Sequence, residues 1–336
     1  MVHVVLDAMG GDNAPAEIIG GAIEALAASD SVKITLCGKE DVIKAELSGK
    51  DYPKDRLDIV DASEVISTEE APVMAIRRKK DSSIVRGLNL VKEGQADAFV
   101  SAGSSGAILV GGQLIVGRIK GVERPPLAPL IPSTTESGVS LIIDCGANVD
   151  ARSSHLVQFA KMGSIYMEHV LGVKNPRVAI VNIGAEEEKG NMLVKETFPL
   201  LKNCPDINFI GSIEAREIPN GGADVIVCEA FVGNVILKMY EGVGKMMLKT
   251  IKDILMSSTR GKVGGLLIKP LLKGAMTKFD ASEYGGAPLL GLKGLVVKVH
   301  GNATRKEISN AIAQCVTFKE QNISQRIADK INIQDE

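Results

Sequence analysis

The chain has 336 residues, with 39 Lys and Arg against 41 Asp and Glu and a formal net charge of −2 at pH 7. So even a balance carries no electrostatic footprint for nucleic acid, which is therefore not an expected partner. The five cysteines, at 37, 145, 204, 228 and 315, form no CxxC pair, and the four histidines have no ligand spacing, which excludes a zinc motif and a disulfide framework.

The first run, Val2–Leu6, reads as a strand with no basic leader ahead of it, so a cytoplasmic location is expected. It ends in DAMGGD (Asp7 to Asp12), followed by a helical pattern over Ala14–Ala28. Strands are predicted next at Val32–Cys37, Leu57–Val60 and Ala98–Ser101. The last of these runs into SAGSSGA and a helix over Ser104–Gly117. Leu141–Cys145 leads into DCGANVD (Asp144 to Asp150) and a helix over Ser153–Leu171. Arg177–Ile183 leads into NIGAEEEKGN, and Asn208–Ile210 follows. Asp224–Cys228 leads into CEAFVGN and a helix over Val232–Met256. Leu295–Val299 ends in HGNAT, where Thr304 and Glu307 form a capping-box pattern opening a C-terminal helix over 304–330.

Most of these strand runs are continuously apolar, as in a parallel sheet covered on both faces. The βαβα order predicts a three-layer α/β/α sandwich with a mostly parallel sheet, one catalytic domain over 1–336 that could divide into two lobes. Ligands of such sheets bind beyond the carboxyl ends of the strands. Small and polar residues gather at those ends here: Asp7, Gly10, Gly11 and Asp12; Ser101, Gly103, Ser104, Ser105 and Gly106; Asp144 and Asn148; and His300.

SAGSSGA can cradle an anion, because glycines admit close backbone approach and the next helix presents free N–H groups. It can equally be an ordinary strand-to-helix turn with a serine cap. No GxxxxGK[ST] or GxGxxG occurs at a strand end, which points away from nucleotides and toward inorganic phosphate or a small phosphoester, with no cofactor and no metal. GxSxG is absent, and no histidine neighbours Cys145 or Cys228, so a covalent acyl-enzyme is not indicated. Taken alone, Lys189 reads as a solvated lysine and Asn234 as a helix N-cap.

The stretch 254–279 stands apart. It contains no Asp or Glu but carries Arg260, Lys262, Lys269, Lys273 and Lys278. At helical spacing Val263, Leu267, Leu271 and Ala275 share one face, with Lys262, Lys269 and Lys273 opposite. Pro270 is expected to kink or split this helix. The pattern suits a core-packing helix with a solvated basic face, or a surface for anionic lipid or an acidic protein partner.

In order, DAMGGD, AIRRKKDSS (Ala75 to Ser83), SAGSSGA, DCGANVD, QFAKMG (Gln158 to Gly163), NIGAEEEKGN, FVGNVILK (Phe231 to Lys238), YGGAPLLG (Tyr284 to Gly291) and HG (His300, Gly301) resemble the acyl-acyl-carrier-protein:phosphate acyltransferase (PlsX) family over nearly the whole chain. Where that family reads SAGNTGA, this chain has Ser104 and Ser105. Glu229-Ala230 stands for its Asp-Gly, and RPPLA (Arg124 to Ala128) for RPALA. The resemblance implies a fold like that of phosphotransacetylases and isocitrate-type dehydrogenases, a homodimer, and peripheral contact with an anionic membrane. It implies transfer of a long-chain acyl group from acyl carrier protein to inorganic phosphate, giving acyl phosphate for phospholipid synthesis. It also implies catalytic roles for Lys189 and Asn234. Alternatives are a phosphotransacetylase-like enzyme using acyl-CoA, a dehydrogenase on the related fold, and a non-catalytic membrane-binding scaffold.

Overall fold

The computed structural model describes residues 1–278 and 281–332, giving only the backbone for 269–278, 281, 282 and 332. Its strands are β1 (Val2–Asp7), β2 (Val32–Gly38), β3 (Leu57–Asp61), β4 (Ala98–Ser101), β5 (Leu130–Pro132), β6 (Val139–Ile143), β7 (Arg177–Val181), β8 (Asn208–Ile213), β9 (Val225–Val227), β10 (Ala287–Leu289) and β11 (Leu295–Lys298). Its helices are α1 (Ala16–Ala28), α2 (Glu40–Leu47), α3 (Pro72–Arg78), α4 (Ser83–Lys92), α5 (Ser105–Gly111), α6 (Ser153–His169), α7 (Met192–Lys202), α8 (Ala230–Met256), α9 (Thr259–Lys278), α10 (Arg305–Glu320) and α11 (Ile323–Asn332).

All nine predicted strands form, but not in one sheet. The first sheet has the order β10-β11-β4-β1-β2-β3 and the second β5-β6-β9-β7-β8. Among the described residues, only the β10–β11 and β5–β6 strand pairs are antiparallel. Burial explains the apolar runs. On the first sheet Val4, Leu6, Val100 and Val297 face α1 and α10, while Val5, Phe99 and Val296 face α4 and α5. On the second, Ile143, Val178 and Val225 pack on α6, and Ile142, Ala179 and Ile226 face the start of α8. The two sheets meet where Leu127 bridges to Leu289 and the Ala128 amide donates to the Pro288 carbonyl.

Three helix expectations change. The C-terminal helix is two helices, separated at Asn322, whose φ of 51° cannot continue an α-helix. Thr304 is the N-cap of α10 but makes no side-chain cap bond, and the Glu307 carboxylate accepts from the His300 amide. The break in the basic stretch falls at Ser257–Ser258 rather than at Pro270, and α9 continues through that proline. The two serines account for it. Ser257 donates to the Ile254 carbonyl from both its amide and its Oγ, ending α8, and Ser258 Oγ accepts from the Gly261 amide, opening α9.

Candidate active site

Three loops interlock at the carboxyl ends of the first sheet. Asp7 is fully buried at the end of β1, and its Oδ2 accepts from Ser101 Oγ on β4 at 2.6 Å while Oδ1 accepts from the Met9 amide. Burial pushes the Asp7 carboxyl up, against the opposing pull of its Ser101 and Ser83 bonds. Gly10 lies so close to both neighbours that a Cβ there would sit 2.3 Å from Asp7 Oδ2 and 2.7 Å from the Gly103 nitrogen. The Asp12 amide donates to the Gly301 carbonyl, and Gly11, at φ +96°, packs against Ala102. Residues 7–12, 101–106 and 300–302 therefore form one rigid rim. Ser104 caps α5, accepting from the Ala107 amide, and is buried, whereas Ser105 is exposed. Its hydroxyl and the first amides of the helix are the donors this rim offers to an anion.

The second sheet contributes a different loop. Asp144, buried at the end of β6, accepts from the amides of Leu127, Gly146, Ala147 and Asn148 and from Asn148 Nδ2. With both oxygens engaged, this carboxylate holds the 144–148 loop in shape, and Asn148 Nδ2 also donates to the Pro125 carbonyl. The start of α8 presses on that loop: a Cβ on Gly233 would stand 1.9 Å from the Asp144 carbonyl oxygen. Glu229 is the N-cap of α8, accepting from the Phe231 and Val232 amides. Asn234 is therefore not a cap but an exposed residue of the second helical turn.

Asn234, Lys238 and Glu241, at i, i+4 and i+7, share one face of α8. That face is turned to the first sheet, because Glu241 Oε1 lies 3.1 Å from His300 Nε2, and Glu241 Oε2 lies 3.0 Å from Lys238 Nζ. Partial burial opposes ionisation of Glu241, but the His300 and Lys238 contacts prevail and hold its carboxyl down to about 2. The contact sets Asn234 two helical turns from the loop 300–302. Lys189 stands on the exposed loop between β7 and α7, with Nζ bonded to Glu186 Oε1 at 2.8 Å, which holds the ammonium above its ordinary value. Among the described residues no hydrogen bond joins Lys189 to Asn234. The starts of α7 and α8 share a wall instead: a cavity of about 880 Å³ is lined by Asn191, Leu193, Glu229 and Phe231 together with Arg118, Arg124, Arg152 and His155 and the acidic Glu123 and Asp150.

Sequence reasoning missed that arginine-lined cavity, the Lys238–Glu241 pair and Lys298. Lys298 ends an apolar strand and looks like its solvated tail. Only the register, which sets it opposite Ser101, marks it out.

Burial drives the thiols of Cys145 and Cys228 well above their ordinary value, and neighbouring charge adds to it, from Cys228 and Asp144 at the first and from Asp144 and Glu229 at the second. Neither is a ready nucleophile, since the thiolate is the reactive form.

Of the residues expected at a membrane or carrier surface, Val263 (56% exposed) and Leu267 (74% exposed) stand in solvent on α9 with Arg260 and Lys262. The side chains of Lys269, Leu271 and Lys273 lie outside the described residues. Among the described residues no helix is long and apolar enough to cross a membrane.

Residues 2–326 match the family model described as fatty acid synthesis protein. A phosphate acyltransferase from Clostridium botulinum is 53% identical over 327 residues, covering 97% of this chain and 98% of that protein. One from Clostridium beijerinckii is 52% identical over 332 residues, covering 98% and 99%. Among solved structures, a phosphotransacetylase from Streptococcus pyogenes covers 95% of this chain and 94% of its own, with a TM-score of 0.60 at 15% identity, a likeness of fold.

Proposed function

The chain belongs to the fatty acid synthesis protein family and is a phosphate acyltransferase, and from that premise we propose that it moves a long-chain fatty acyl group from acyl carrier protein onto inorganic phosphate, releasing acyl phosphate for phospholipid synthesis. The observation that carries the reading is the meeting of two parts. A rigid, glycine-tight rim of amides and hydroxyls at residues 7–12, 101–106 and 300–302 faces the α8 stripe that bears Asn234, and the His300–Glu241 contact joins them.

Phosphate rests against the Ser105 end of the rim. A phosphate oxygen attacks the thioester carbonyl carbon, forming a C–O bond. The tetrahedral intermediate then collapses, the C–S bond breaks, and the carrier thiolate leaves and takes a proton. Phosphate is substantially dianionic at neutral pH, so no strong general base is needed. Asn234 donates to the developing oxyanion, a contribution worth about 10²–10³ in rate where it has been removed elsewhere. Lys189 supplies a point charge to the anion, for which phosphate competes with Glu186. The buried, protonated Cys145 and Cys228 suit direct attack rather than an acyl-enzyme.

Two further features belong to this reading. Exposed apolar side chains on α8, among them Phe231, Met239 and Met246, suit burial between two copies of the chain as a homodimer. Val263, Leu266 and Leu267 beside Arg260 and Lys262 suit peripheral contact with an anionic membrane.

The test is direct: incubate the protein with palmitoyl-carrier protein and inorganic phosphate and trap the product with hydroxylamine. Phosphate-dependent palmitoyl hydroxamate is the expected result. Turnover with palmitoyl-CoA but not with the carrier-bound substrate would assign the phosphotransacetylase-like activity instead.

A further inference from the structure

Resting on the phosphate-acyltransferase reading, we propose that Lys298 is a phosphate-binding residue of the active site, a second ammonium on the attacking phosphate besides Lys189. The placement comes from the sheet. The register pairs Lys298 with Ser101 across β11 and β4, while β4 pairs with β1 one residue earlier at Val100 and Leu6. Asp7, Ser101 and Lys298 therefore stand side by side at the carboxyl ends of three adjacent parallel strands. Residues in register share a pleat, so their side chains leave the sheet on one face. Ser101 Oγ reaching Asp7 Oδ2 confirms this for the first two, and Val5, Phe99 and Val296, two residues back on each strand, all pack on the α4 and α5 side. Lys298 thus issues beside the loop that opens α5, where the rim presents its free donors.

Its surroundings are unlike those of a lysine in an ion pair. The residue is half-buried, and its ammonium donates to the Val299 carbonyl beside it in the chain. Among the described residues no carboxylate lies within ion-pair distance of Nζ. Charged groups face it from each side: Glu307 of α10, Lys238 of α8, Asp7 of β1 and Asp12 of the loop after β1. Burial outweighs the rest and pushes the ammonium down to about 8, with Lys238 adding to the fall and Glu307, Asp7 and Asp12 opposing it. A partly desolvated cation lacking a carboxylate partner binds an incoming anion more strongly than an exposed one does, since bulk water screens the contact less.

The experiment measures phosphate and acyl-donor kinetics of Lys298→Gln and Lys298→Arg in the full-length protein. Loss of one charge-assisted bond corresponds to about 10–100-fold. Lys298→Gln should raise KM for phosphate by about that factor while leaving KM for the acyl donor within about two-fold. Lys298→Arg should recover most of the loss. In the wild type, phosphate affinity should fall as pH rises through about 8, whereas Lys298→Arg, with a side chain that stays charged, should lack that limb. A folded Lys298→Gln variant with an unchanged phosphate KM would overturn the assignment.

A second measurement needs neither a variant nor turnover. Lysine acylation of the wild type by acetic anhydride near pH 8, mapped by mass spectrometry, should label Lys298, and saturating inorganic phosphate should protect it. Labelling indifferent to phosphate would refute the proposal. Protection without any acyl phosphate formation would uphold the site and reject the acyl-transfer reading, so the two can fail separately.

Discussion

The strand-end rim and the α8–α9 hairpin are built on opposite terms. In the rim, the Asp7, Ser101 and Ser104 side chains are buried and hydrogen-bonded, and Gly10 and Gly11 allow backbones to approach where no side chain would fit. α8 is 27 residues long, yet only Ala230 and Gly233 are buried, and its Met239, Met246 and Ile254 stand in solvent with Leu266 and Leu267 of α9. The first region spends its residues on position and the second on surface. The lesson is that chemistry and recruitment are separable here: they join at the first turns of α8, where Gly233 presses on Asp144 and Glu241 reaches His300.

Attacking the junction should have the largest effect. Asn234→Ala and Lys189→Ala should each lower turnover by about 10²–10³ with little change in the melting temperature, since both side chains are exposed and the surface pair of Lys189 with Glu186 adds little stability. Steady-state kinetics beside thermal melts would check this, and near-wild-type turnover in either folded variant would remove that residue from the mechanism.

Changes within the rim should damage stability and activity together. Gly10→Ala places a methyl group against Asp7 and the Gly103 amide, so the rim must open, at about 1–3 kcal/mol in chemical denaturation. A neutral outcome would show that the loops move freely.

The hairpin should respond in the reverse sense. Val263→Glu with Leu267→Glu should abolish sedimentation with anionic liposomes while solution activity stays within about two-fold, because both side chains already face water. Losing both properties together would mean that the hairpin shapes the catalytic site.

The smallest effect concerns the link itself. Glu241 has a folded value of about 2 against an ordinary 4.5, so its stabilising contribution is present above about 4.5 and is lost as pH falls toward 2. Glu241→Gln should flatten the stability–pH profile in that window: the loss shows at pH 7, reduced by the partial exposure of the pair, and disappears as pH falls toward 2. A profile unchanged by the substitution would show that the contact does not hold the two regions together.

Strand positions were legible because parallel strands buried on both faces carry continuous apolar runs, such as Val4–Leu6 in β1 and Leu141–Ile143 in β6. The division into two sheets was not, since an apolar run names no neighbour. The three-residue edge strands Leu130–Pro132 and Ala287–Leu289 each contain a proline and carry too short a pattern to register. The candidate site was legible as loops, through the glycines and polar residues at strand ends. Its interior was not: Lys298 emerges only from register, Glu241 only from the packing of α8 on His300, and the bond from Lys189 to Glu186 only from the fold of its loop. The pattern at Thr304 and Glu307 misled because the Glu307 carboxylate accepts from the His300 amide, a partner the spacing does not reveal.

The central claim is that phosphate attacks the thioester directly, with no acyl-enzyme between. Rapid-quench single turnover with enzyme in excess over palmitoyl-carrier protein tests it most directly. Without phosphate, no carrier thiol should be released and no acyl group should appear on the protein by mass spectrometry. With phosphate, thiol and acyl phosphate should form at one common rate. Release of carrier thiol before phosphate is added, with a palmitoyl group on Cys145, Cys228 or any other side chain, would contradict the account.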